Sequence, residues 1–152
     1  MYRLGYDAWG DGNGLDAYLA TCRASRKYAE GVWWIHAAAD GAPASALLSH
    51  DIPLPSGSPA VGLGSIATAP EFRGRGFASR LIEDVIVRHE RDAGTEVFFL
   101  FSDIAPAFYE RFRFSTVMPC PRKPESLLMA RAEPKKLAGL LAHPEFQIPD
   151  YF

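Results

Sequence analysis

Apolar residues in this chain recur with two periods, and the switches between them mark out its elements. Leu15, Tyr18, Leu19 and Cys22 form one stripe and predict a helix over 14–27. Val32-Trp33-Trp34-Ile35-His36-Ala37 and the run Ala44 to Leu48 predict two strands, with Asp40-Gly41 between them as a hairpin signal. Trp33 and Trp34 then point to opposite faces, one to the core and the other to a pocket or an interface. Ile52 to Pro59, with its prolines, glycine and serines, reads as a surface connection, and Val61 to Thr68 as the next strand. After it, Ala78, Leu81, Ile82, Val85 and Ile86 repeat at helical spacing, while Arg80, Glu83, Asp84 and Arg88 occupy the other face. Gly94 is placed to cap that helix. Val97 to Phe101 is unbroken apolar sequence, the mark of a strand buried on both faces. Asp103 can cap a short helix with Pro106 in its first turn, presenting Ala107, Phe108 and Phe112 inward before Phe114 opens a strand. A Pro-rich connection from Pro119, a strand over Ser126–Ala130 and a helix from Lys135 to Leu141 complete the pattern. The end, Ile148 to Phe152, is apolar enough to dock on its own chain or a neighbouring copy.

The strand–helix–strand passage from Val61 to Phe101 predicts two parallel neighbours joined by a right-handed crossover. The loop inside it, Pro70-Glu71-Phe72-Arg73-Gly74-Arg75-Gly76-Phe77-Ala78, lies at the carboxyl end of a strand and the start of a helix. Glycines there let a backbone approach an anion closely, and the first helical amides point at it. Arg73, Arg75 and Arg80 add positive charge. Two other phosphate motifs fail on context. Gly62-Leu63-Gly64-Ser65-Ile66-Ala67 has dinucleotide-like spacing, but strand rather than helix follows it, and no P-loop run exists. An arginine-glycine RNA-binding loop would need support elsewhere in the chain, and none is present.

Arg73-x-x-Gly76-x-Ala78 resembles the coenzyme A pyrophosphate loop of the GNAT superfamily of N-acetyltransferases. Ala105, Tyr109, Glu110, Arg111 and Phe114 fall on the positions of that superfamily's later motif. Ser102 stands where asparagine is usual there, and Arg113 where glycine is common. Arg113 argues that the turn avoids positive φ or adopts it with strain. The resemblance runs from Val61 to Phe114. It implies an α/β fold: a mixed, mostly antiparallel central sheet with a parallel, splayed strand pair and flanking helices, as one domain over 1–152. It further implies that Ile66, Ala67 and Thr68 pair with the pantetheine arm, and that Arg73, Gly74, Arg75, Gly76, Phe77 and Ala78 hold the pyrophosphate. Ser102 would offer a hydroxyl to the cofactor backbone, and Tyr109 is the expected acid for the departing thiolate. A backbone amide of the first strand would polarise the thioester carbonyl. Ala8-Trp9-Gly10 and Leu100 to Ile104 are similar to a group that includes fungal lysine N6-acetyltransferases, which suggests an amino acid or small amine as acceptor.

The general base is not readable. Ala60 to Thr68 contains no carboxylate or histidine. His36, His50, Asp51, Asp103 and a water chain are all open, and each side chain also fits a plain surface or hairpin role. Two functions follow. One is transfer of an acetyl group from acetyl-CoA to a primary amine, directly and in a ternary complex. The other, motivated by the missing base and Arg113, is a CoA or acyl-CoA sensor or partner-binding module without turnover.

Composition narrows the setting. With 152 residues, 48% of them apolar, the chain can bury a substantial core, and a net charge of −2 gives no global attraction to nucleic acid or an anionic membrane. No run approaches the ~20 apolar residues of a membrane span, and the N-terminus lacks a signal-peptide core. Cys22 and Cys120 stand alone, without metal-ligand spacing, so no metal is expected and a reducing, cytoplasmic setting is the default. A homodimer is compatible with the apolar end.

Overall fold

Strand β4 (Val97–Ser102) is the most deeply buried element of the computed structural model, which describes residues 1–147. Val97, Phe98, Phe99 and Leu100 are each at most 1% exposed. Full burial of such side chains contributes about 1.5–3 kcal/mol apiece, which explains why this run is apolar without interruption. The strand is paired on both edges. Ala60 to Leu63 of β3 (Pro59–Thr68) run parallel to Val97 to Leu100, while β6 (Lys123–Arg131) runs antiparallel, matching Phe98 to Arg131 and Ser102 to Leu127. With β1 (Val32–Ala37), β2 (Pro43–Pro53) and β5 (Ser115–Cys120), the sheet order is β1-β2-β3-β4-β6-β5. It is mixed and mostly antiparallel, with the single parallel pair the sequence predicts.

The contacts of the chain gather in two compact units. The first comprises residues 1–50 and 65–86. It holds the short helix α1 (Tyr6–Trp9), α2 (Leu15–Ala24) and α3 (Arg26–Glu30). The helix expected over 14–27 is thus two helices. Ser25 is extended (ψ 118°) and its carbonyl accepts from Tyr28 and Ala29, so the chain restarts instead of continuing. The β1–β2 hairpin closes as predicted. Gly41 takes φ 83°, Asp40 Oδ1 accepts from the Ala42 amide at 3.0 Å, and Ala38 N donates to Ala42 O at 2.8 Å. β2 continues to Pro53, five residues past Leu48, which shortens the expected connection. Both tryptophans are half-buried. Trp33 packs on Leu4, Ala46 and Ala69, and Trp34 donates to Ser49 Oγ at 2.8 Å.

The second unit comprises residues 51–64 and 87–152. One face of β4 gives Val97 and Phe99 to a cluster with Ala60, Leu128 and Ala130. Leu137 and Leu140 of α6 (Pro134–Leu141) pack against that cluster, as does Phe146, whose ring stacks on Phe99 at 5.9 Å. Phe98, on the alternate side, meets the His89 ring edge-on at 6.4 Å. His89 belongs to α4 (Phe77–Ala93), which ends where predicted: Gly94 takes φ 64° and its amide bonds Glu90 O at 3.1 Å. The short helix α5 (Ala107–Glu110) corrects two expectations. Its N-cap is Pro106, with no side-chain cap bond, while the Asp103 carboxylate pairs with Lys123 Nζ at 3.1 Å; and Ala107 is exposed while Phe112 is buried. Pro119 belongs to β5 and not to a connection; β5 ends the sheet, where a residue without an N–H is tolerated. The apolar end, 148–152, lies outside the described residues.

Burial lowers the His89 pKa from 6.5, against the smaller opposing pull of Asp51 and Asp92. The unfolded chain therefore takes up a proton near pH 6.5 that the folded chain resists, so stability falls as pH drops below that value. His89→Gln is expected to flatten the pH dependence of the urea midpoint below about pH 6.5; an unchanged slope would contradict the assignment.

Candidate functional site

Strand β3 changes character at Ser65. Up to Leu63 it is buried and paired with β4, but Ser65 adopts φ 49°, a left-handed conformation unusual for a residue with a side chain. A left-handed residue inside a strand redirects the backbone, as in a β-bulge. Sequence reading places small residues at Gly64 and Ser65 without showing that the serine, and not the glycine, takes the strained position. The Ser65 hydroxyl donates to Tyr28 Oη at 3.4 Å.

The three residues expected to meet the pantetheine arm, Ile66, Ala67 and Thr68, follow at once and are half-buried. Ala67 and Thr68 are fixed by hydroxyls and a guanidinium. Ser45 Oγ donates to Ala67 O at 3.0 Å and lies 3.0 Å from Thr68 Oγ1, and Arg73 Nε donates to Thr68 O at 3.0 Å. Ala69 N bonds Ala44 O at 3.0 Å. Buried Ser45, 0% exposed, thus has a definite task that hydrophobic patterning does not reveal.

The loop begins with one 3-10 turn, Pro70–Phe72, and then contains two left-handed glycines, Gly74 (φ 69°) and Gly76 (φ 79°). Only glycine adopts these angles without cost. Arg80 N donates to Gly76 O at 3.0 Å as the first helical bond of α4, so the amides of Phe77 and Ala78 precede any intrahelical acceptor. No acidic residue occupies the first turn. A positively polarised helix end of 17 residues therefore opens directly after two glycines.

The three arginines are not equivalent, which corrects the simple sum of their charges. Arg73 forms an ion pair with Asp7 of α1, so its charge is neutralised and its role is to bind the loop to the strand end. Arg75 and Arg80 have no carboxylate partner among the described residues. Arg75 lies 5.4 Å from the Phe72 ring centroid, Arg80 lies 5.0 Å from that of Phe77, and Arg80 Nη2 donates to Arg75 O at 3.2 Å. Asp7 lies 66 residues before Arg73, a separation at which no local pattern could have signalled the pair.

These residues all belong to the first unit; Ser102 and Tyr109 belong to the second. Ser102 is 1% exposed, and its hydroxyl is already engaged, donating to Ile104 O at 2.8 Å. Donation to a cofactor would require that bond to exchange. Tyr109 of α5 is 7% exposed, with its ring perpendicular to Phe108 at 4.9 Å. Among the residues considered for a base, Asp103 is tied to Lys123, whereas the His36 and Phe77 rings lie 5.2 Å apart between centroids in a T-shaped arrangement, and the buried His36 Nδ1 has no hydrogen-bond partner among the described residues. No group of three or more potential metal ligands occurs among the described residues, and no described helix is long and apolar enough to cross a membrane.

Residues 2–114 match the model of the acetyltransferase (GNAT) family. No curated protein sequence matches the chain. Solved structures share its fold, and three illustrate the likeness. The aminoglycoside 6'-acetyltransferase type Ii aligns with a TM-score of 0.62 at 15% identity, over 87% of this chain and 86% of its own. The GNAT family N-acetyltransferase YhbS from Escherichia coli, in complex with CoA, aligns at 0.57 and 20% identity, over 71% and 62%. A probable N-acyltransferase from Enterococcus faecalis V583 aligns at 0.61 and 16% identity, over 76% and 29%. The chain thus spans less than two thirds of the length of the last two.

The left-handed angle at Ser65 makes a prediction. Ser65→Gly should retain or slightly raise stability, whereas Ser65→Val should cost about 1–2 kcal/mol or more, because a β-branched side chain opposes this conformation. Equal urea midpoints for the two variants would contradict a left-handed residue 65.

Proposed function

Starting from a chain that belongs to the acetyltransferase (GNAT) family, we propose that it transfers an acetyl group from acetyl-CoA to a primary amine. The observation that supports this most is the loop after β3: two left-handed glycines, an acid-free helix start and the unpaired charges of Arg75 and Arg80. That combination suits a pyrophosphate. In this reading Gly74, Arg75, Gly76, Phe77 and Ala78 bind the pyrophosphate, Arg73 positions the loop through Asp7 and Thr68, and Ile66, Ala67 and Thr68 align the pantetheine arm. Ser102 donates to the cofactor only if its bond to Ile104 exchanges.

The reaction is direct. The amine nitrogen attacks the thioester carbonyl carbon, a β3 backbone amide stabilises the resulting oxyanion, and the C–S bond breaks to release the CoA thiolate. Tyr109 gives its proton to the sulfur, and the amine proton leaves to bulk water or a base. An acetyl-cysteine intermediate is disfavoured, because Cys22 and Cys120 are only 4% and 1% exposed. Acetyl-CoA is the co-substrate, and the acceptor is a small amine or amino acid.

Consumption of acetyl-CoA across a panel of amines tests the proposal; binding without turnover would favour the sensor instead. Gly76→Pro cannot take φ 79° and should lose CoA binding, with circular dichroism checking the fold. Retained affinity in a folded variant would sink the loop assignment. Tyr109→Phe should lower kcat by roughly a hundredfold, in the range of general acid catalysis, with nearly unchanged CoA affinity. An unchanged kcat across pH would remove Tyr109 from the mechanism.

A further inference from the structure

At the end of α4 remote in sequence from the glycine loop, the second unit contains an open cleft of about 720 Å³ lined by Glu90, Gly94, Thr95, Glu96, Arg113, Arg131, Ala132 and Glu133. No residue assigned above to acetyl transfer lines it. Five of its eight residues are charged, and most of that charge is already matched. Arg131 Nη1 pairs with Glu90 Oε1 at 2.5 Å, and Glu96 pairs with Lys136. Two groups remain. The Arg113 guanidinium has no carboxylate partner among the described residues. Among the described residues the Glu133 carboxylate is held only by the Lys136 backbone amide, at 2.9 Å, as the cap of α6.

Two further observations point to an occupant. Arg113 adopts φ 67°, a left-handed conformation that glycine would take without strain, so the arginine is kept there at a cost in stability. Thr95 is 2% exposed and its Oγ1 has no hydrogen-bond partner among the described residues, an unfavourable state for a buried hydroxyl. We infer that this cleft binds a small zwitterion with one carboxylate and one ammonium, an amino acid in chemical class. Its carboxylate would be taken by Arg113 and, after a side-chain rotation, by the Thr95 hydroxyl; its ammonium would be taken by Glu133. The three glutamates disfavour a polyanion, and five charged side chains among eight lining residues disfavour a lipid-like ligand. The inference is independent of the transferase reading, because it concerns binding away from the glycine loop.

The test is calorimetric titration of the full chain, without CoA, with glycine, lysine and glutamate, and with acetate, methylamine and inorganic phosphate as single-sign probes. At least one amino acid should bind, and more tightly than any single-sign probe. Arg113→Gly should weaken that binding about tenfold or more, the loss expected for a charge-assisted bond, while its thermal midpoint stays level or rises as the backbone strain is relieved. Glu133→Gln keeps an oxygen to cap α6 and should weaken amino-acid binding while sparing acetate. Absence of amino-acid binding at millimolar concentration would overturn the inference. So would equal affinity in Arg113→Gly, or phosphate or acetate binding as tightly as the amino acids.

Discussion

A left-handed residue in the middle of a strand sets the terms for the candidate site. β3 begins as core, paired with β4 and buried beside Val97 to Leu100. It must end as a surface that a cofactor can approach. One conformational break at Ser65 separates the two duties within ten residues. The strain there, of order 1–2 kcal/mol, persists because both sides are fixed. Ahead of the break, apolar burial holds Ala60 to Leu63. Beyond it, Ser45 and Arg73 hold the carbonyls of Ala67 and Thr68.

Charge in the loop is arranged by the same logic. An arginine engaged with a carboxylate contributes position, and one without a carboxylate partner contributes attraction. Arg73 belongs to the first kind through Asp7; Arg75 and Arg80 belong to the second. The aromatic faces of Phe72 and Phe77 orient those two guanidinium groups without neutralising them, which leaves their field available to a phosphate. Because both lie at the surface, that attraction weakens as salt rises.

Much of this was readable from sequence where a physical signal is local. The five-residue apolar run of β4, the helical stripe of Leu81, Ile82, Val85 and Ile86, and the Asp-Gly turn all formed as their patterns required. The glycine-arginine loop was found by composition and spacing. What local sequence does not carry is non-local or conformational. Nothing near Arg73 announces Asp7, and nothing in Gly64-Ser65 says which residue turns left-handed. Nothing near Asp103 announces its ion pair with Lys123, twenty residues away. Ser25 interrupts a helix although neither proline nor glycine marks the position. Arg113 was the instructive case: the resemblance expected glycine, and the backbone took the glycine conformation with arginine in place.

The central claim is that the loop after β3 binds coenzyme A. Thermal unfolding with acetyl-CoA, CoA or ATP, each at about a hundred times a plausible Kd, tests it most directly. Ligand linkage at that ratio stabilises the folded state by ~2.7 kcal/mol. The account predicts a raised midpoint with both CoA species and none with ATP. An unchanged midpoint with every ligand across several concentrations, or an equal rise with ATP, would contradict it.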